Sequence, residues 1–150
     1  MIGLHALASE ILRHTLDGRP AVAASLLDVV TEHGDRADLF GVCCAAADTG
    51  RVALQALFPE SSVGVSGEWQ LPPAMADQLA GDPHGLFAAR FMTAFLNGDH
   101  AMLLALFQAT ETAGYQDRTE SICALLAHVR GLTLRAEQGP ATPDPGGVPA

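Results

Sequence analysis

The chain has no lysine, and all eight of its basic residues are Arg. That absence excludes a Walker A lysine, a Schiff-base lysine and a lysine general base, since each needs an ε-amine of tunable pKa. Charge of positive sign is scarce altogether: 8 basic residues face 17 acidic ones, for a formal net charge of -9. A surface of that sign repels phosphate backbones, so nucleic acid is not an expected partner. Charged residues make up 17% of the chain, against about 25% in an average domain. Aromatics are few, with one Trp and one Tyr. No run approaches the roughly 18 uncharged apolar residues a membrane helix needs, which excludes a spanning segment of that kind. The start, Met1-Ile2-Gly3-Leu4-His5, lacks a basic stretch and Glu10 interrupts the early apolar run, so no signal peptide is expected. The three cysteines, Cys43, Cys44 and Cys123, are then read as reduced thiols in a cytoplasmic protein. Dinucleotide, phosphate-loop and zinc motifs are also missing. Gly64-Val65-Ser66-Gly67 falls short of a nucleophile elbow because Glu68 stands where Gly is needed.

What is abundant is apolar residues, at 49% of the 150. A chain of that length is one domain by size and can bury roughly two thirds of its unfolded surface without staples. Sliding the sequence by 80 positions superposes it on itself without a gap. Ala8 meets Ala88, Leu16 meets Leu96, Gly18 meets Gly98, Ala21 meets Ala101, Leu26 meets Leu106 and Gly34 meets Gly114. Cys43/Cys123, Ala47/Ala127, Leu54/Leu134 and Ala56/Ala136 continue the series. Two of the matched pairs are glycines at places where helices end. The reading is an internal duplication, with half-repeats 4–58 and 84–138 related by a pseudo-twofold axis.

Each half reads as three helices, giving an all-α fold of six to eight helices in a single domain over 1–138. Leu4, Leu7, Ala8, Ile11, Leu12 and Leu16 have helical spacing, and Gly18 is placed to turn the chain left-handed after the last turn. Pro20 suits the first turn of a second helix running to Gly34. Asp35 can cap a third, for which a break or kink is expected around Asp48-Thr49-Gly50. In the second half Asp82-Pro83 opens a helix, Asn97-Gly98-Asp99 separates it from the next, and Asp117 with Glu120 has the spacing of a capping box. Residues 101–107 are apolar nearly all round, the pattern of a helix buried on every side, so that helix is expected to be central. Residues 59–83 carry Pro59, Pro72 and Pro73, four acids and no base; an irregular crossover with a short helix from Pro73 to Leu79 is expected. The Gly- and Pro-rich stretch 139–150 is expected to be a disordered tail.

Few residues invite chemistry. Glu10, His14 and Asp17 recur at i, i+4 and i+7, a spacing able to hold a cation but equally that of a solvated helix face; no metal and no cofactor is expected. The vicinal pair Cys43-Cys44 points about 100° apart on a helix and cannot form an ordinary disulfide. Cys43 and Cys123 are assigned to equivalent core positions, leaving Cys44 as the candidate reactive thiol, though nothing basic beside it lowers its pKa. Trp69, in the crossover, is a plug between the halves or a binding anchor. Phe58, where the first half ends, is the other aromatic candidate for a binding contact.

These features favour a non-catalytic helical interaction or regulatory module, because helical repeats present packed surfaces and the apolar excess needs cover. The expected partner is a protein, including a second copy in a homodimer. The alternative is a small-molecule binding protein with an apolar pocket between the two halves. An enzyme is the least supported class, since catalytic side chains in apolar context are scarce.

Overall fold

The computed structural model describes residues 4–58 and 77–139, and these residues hold six α-helices and no strand. We number them α1 (Leu4–Leu16), α2 (Pro20–His33), α3 (Arg36–Leu57), α4 (Pro83–Leu96), α5 (His100–Ala113) and α6 (Tyr115–Glu137). Shifting the bounds of α1, α2 and α3 by 80 reproduces those of α4, α5 and α6 to within one residue at each end. Of the expected tail 139–150 only Gly139 is described; residues 140–150 lie outside the described residues, as does most of the crossover. Of the short helix expected from Pro73 to Leu79, only Asp77 onward is described. There Asp77 and Gln78 are helical, and the Ala80 and Asp82 amides donate to the carbonyls of Asp77 and Leu79.

Local chemistry explains most helix ends. Gly18 and Gly98 adopt φ of +76° and +65°, the left-handed region that glycine enters without a Cβ penalty. At the end of α1 the Gly18 and Arg19 amides donate to the carbonyls of Thr15 and His14, so the last turn is satisfied internally. Asp35 caps α3 with a reciprocal pair: the Asp38 amide donates to its carboxylate at 2.9 Å, and its own amide donates to the Asp38 carboxylate at 2.8 Å. Asp82 and Asp99 cap α4 and α5 by accepting from the amides of Gly85 and Met102.

Two local expectations fail. The capping box expected of Asp117 and Glu120 does not form. α6 begins three residues earlier, at Tyr115 behind Gly114, so both acids sit inside the helix. Nor is α3 kinked at Asp48-Thr49-Gly50: it is continuous from Arg36 to Leu57. Asp48 pairs with Arg51 one turn on, and the Thr49 hydroxyl donates to the Ala45 carbonyl, so both are accommodated within the helix. Gly50 serves close approach instead. A Cβ there would lie 2.9 Å from the methyl carbon of Met92 on α4 and 3.3 Å from Cγ2 of Val129 on α6.

The core runs through both halves. α6 packs against α3, α4, α5 and α1, and its stripe of Ile122, Leu125, Leu126, Val129 and Leu132 has the spacing of a single buried face. Ile11, Leu27, Val30, Val42 and Cys43 from the first half meet Phe91, Leu103 and Phe107 from the second in one apolar cluster. Phe40 bridges them with its ring edge-on to Phe91 and Phe107, at centroid distances of 6.2 and 5.4 Å. Two buried hydroxyls are satisfied within their own helices, Thr15 on the Ile11 carbonyl and Thr110 on that of Phe107.

The helix expected to be central is peripheral. α5 buries only Leu103, Phe107 and Thr110, and Met102 and Leu104 are each 47% exposed. All-round apolarity shows which residues tolerate burial, not how many neighbours a helix finds. The longer α6, with its narrower stripe, takes the centre.

Candidate functional site

Three places could carry function, and each follows from how the helices are set. The first is the outward side of α5. From Ala101 to Thr110 the helix has no charged side chain, and Ala101, Met102, Leu104, Ala105 and Ala109 on it are exposed. Alanines at 101, 105 and 109 recur every four residues, so they form one low ridge on which another helix can approach closely, flanked by the larger Met102 and Leu104. At its far end α5 is tied back to the first half, where Arg36 pairs with Glu111 at 2.6 Å. α2 exposes less: Val22 and Val29 stand out at 42% and 39%, with Asp28 between them.

The second place is a cavity of about 340 Å³ lined by Thr15, Gly18, Pro20, Ala23 and Ala24 of the first half and Cys123, Leu126, Ala127 and Arg130 of the second. Its walls are largely alkyl. Its one charged group is the Arg130 guanidinium, which lies against Gly18, so close that a Cβ on that glycine would sit 3.1 Å from Nη2. Arg130 Nε is fully buried and has no hydrogen-bond partner.

The third is a polar cluster between the start of α4 and the first turns of α6. Nε2 of His84 lies 2.8 Å from Glu120 and 3.8 Å from Asp117, while Nδ1 is 3.0 Å from the hydroxyl of buried Ser121. The three ligand-type atoms of His84, Asp117 and Glu120 fall within 4.8 Å of one another, close enough for one divalent cation. As it stands, the group ties α4 to α6 through the polar contacts of His84. The α1 set is not gathered in this way. Glu10 pairs with Arg13 and approaches His14 at 3.5 Å, whereas Asp17 lies past the helix end and pairs with Arg19 at 2.8 Å.

The residues singled out in the sequence fall apart in space. Trp69 lies outside the described residues. Phe58 sits at the C-terminal end of α3, its amide donating to the Leu54 carbonyl and its side chain 44% exposed. Cys44 is half-buried, and that burial pushes its thiol above the ordinary range, against a reactive thiolate. The equivalence of Cys43 and Cys123 is only partial. Cys43 is fully enclosed, with a thiol pushed far up by burial, whereas Cys123 is half-buried and lines the cavity. Its place there, like that of Arg130, depends on which face α6 turns to α1 and α2, and spacing within one helix does not reveal that. Among the described residues no helix is long and apolar enough to cross a membrane. Comparison of the chain with protein-family models, with curated proteins and with solved structures gives no match.

Proposed function

We propose that this chain is a non-catalytic helical interaction module that self-associates through the outward side of α5. One observation carries the reading: ten consecutive residues without a charge, Ala101 to Thr110, lie on a helix that buries only one of its sides. Exposed apolar surface of this kind marks contact sites. A second copy is the occupant favoured by charge. Each chain carries a net -9, so most faces of two copies repel. The neutral strip of α5 is where they approach with least opposition, and screening at physiological salt limits repulsion beyond about 8 Å. A two-fold contact would set the alanine ridge of one copy against that of the other. The same reading treats 4–58 and 84–138 as two copies of one three-helix unit, supported by helix bounds that coincide after the shift of 80.

The test is light scattering on the full chain and on Leu104→Glu and Ala105→Glu, with Val22→Glu on α2 as control. Dimers are expected for the unaltered chain and Val22→Glu, and monomers for the two α5 variants with their helical circular dichroism retained. Dimers that survive both α5 substitutions would remove α5 as the contact. A second reading, binding of a small molecule, is favoured by the cavity between residues 15–24 and 123–130.

A further inference from the structure

We infer that the cavity beside Arg130 binds a small amphipathic anion, a carboxylate head on a short apolar body, with the Arg130 guanidinium receiving the head. The inference rests on the second reading above, and the α5 surface plays no part in it.

The Arg130 guanidinium lies on Gly18 just past the C-terminal end of α1, whose dipole is its only electrostatic complement among the described residues. Arg130 makes no ion pair or hydrogen bond among the described residues, and its Nε is buried without a partner. Leaving a buried donor unpaired costs free energy, more so on a charged group, and a ligand that accepts from it recovers that cost. The acceptors at the adjoining end of α1 already have partners of their own. The Asp17 carboxylate is paired with Arg19 at 2.8 Å, and the Thr15 and His14 carbonyls at the end of α1 accept from the amides of Gly18 and Arg19. Gly18 lets the guanidinium lie directly on the backbone at the cavity edge, where any side chain would push against it.

Besides Arg130, one backbone feature at this spot suits negative charge. α2 begins here with Pro20 on the cavity wall, and its N-terminus has no side-chain cap and no acid in its first turn. The 14-residue helix therefore brings its positive end to the same wall as Arg130, beside the C-terminal end of α1 at Thr15 and Gly18. On the rest of the wall Ala23, Ala24, Leu126 and Ala127 are purely alkyl, Thr15 has its hydroxyl donated to the Ile11 carbonyl, and Cys123 adds a thiol. A volume of about 340 Å³ lies at the small end of ligand sites, which run from roughly 300 to 1,000 Å³. A guanidinium matches a carboxylate in a bidentate pair, and the alkyl wall matches a short hydrocarbon body.

The experiment is a titration of the ¹⁵N-labelled full chain with hexanoate, 1-hexanol and inorganic phosphate, followed by the amide resonances of Gly18, Ala23 and Ala127 and by the Arg130 Nε–H signal. Hexanoate is expected to move these signals saturably, with hexanol and phosphate each binding at least about tenfold more weakly, the scale of one lost charge-assisted contact. Arg130→Gln should weaken hexanoate by about tenfold or more, while Arg135→Gln, on the exposed side of α6, should leave it unchanged; helical circular dichroism checks that both variants fold. Hexanol binding as tightly as hexanoate, or Arg130→Gln binding hexanoate unchanged, would overturn the anion assignment and leave an apolar pocket standing. Phosphate binding as tightly as hexanoate would overturn the apolar body. No saturable shift from any of the three would overturn the inference and the small-molecule reading together.

Discussion

Burial and charge set the behaviour of individual side chains here, and two titratable types report it. Cys43 is fully enclosed and Cys44 and Cys123 are half-buried; in all three, burial raises the thiol pKa. Ellman's reagent should therefore leave Cys43 unlabelled in the folded chain and modify Cys44 and Cys123 more slowly than a free thiol, with three equivalents reacting only after denaturation. Rapid labelling of Cys44 would restore it as a reactive group. His128 shows the opposite shift: burial lowers its pKa below the ordinary 6.5, so the folded chain holds it neutral. The unfolded chain then binds the extra proton first as pH drops. The stability this residue contributes is present above about 6.5 and is lost as pH falls through that value toward the lower folded one. Urea midpoints between pH 7.5 and 5.5 should fall, and His128→Gln should flatten that part of the profile. Gly18 matters for its backbone. At φ +76°, and with Arg130 packed against it, Gly18→Ala should cost about 1–2 kcal/mol in urea unfolding.

Among the helices, ends were more legible in the sequence than faces. Asp35, Asp82 and the glycines at 18, 98 and 114 are local signals, since a cap or a left-handed turn is decided within four residues, and they stand where the structure ends its helices. Replacing Asp35 by Ala should destabilise the chain by about 1 kcal/mol, measured by urea denaturation, because one amide at the start of α3 loses its acceptor. Gly50 does not break α3, for a physical reason. A glycine weakens a helix in isolation, but here two neighbouring helices press on that position, and this contact is invisible along one strand of sequence. Gly50→Leu should accordingly cost about 1–3 kcal/mol through overpacking against Met92 and Val129. α5, expected at the centre, lies at the periphery because apolarity says what a helix can bury, while the number of partners depends on tertiary arrangement. Likewise the cavity joins residues more than 100 positions apart, so Arg130 gave no local sign of its place.

At the scale of the molecule, one core joins elements from both ends of the sequence, and Phe40 and the Arg36–Glu111 pair link the halves at its side and edge. The apolar excess visible in the composition is thus only partly consumed by folding. Part of it lies outward on α5, in a stretch free of charge on a strongly acidic chain. Self-association is the central claim that follows. Sedimentation equilibrium of the full chain at micromolar concentration, in about 0.15 M salt to screen the acidic surface, tests it most directly. The account predicts a concentration-dependent shift to a species of twice the 15.6 kDa chain mass, and a 15.6 kDa monomer throughout that range would contradict it.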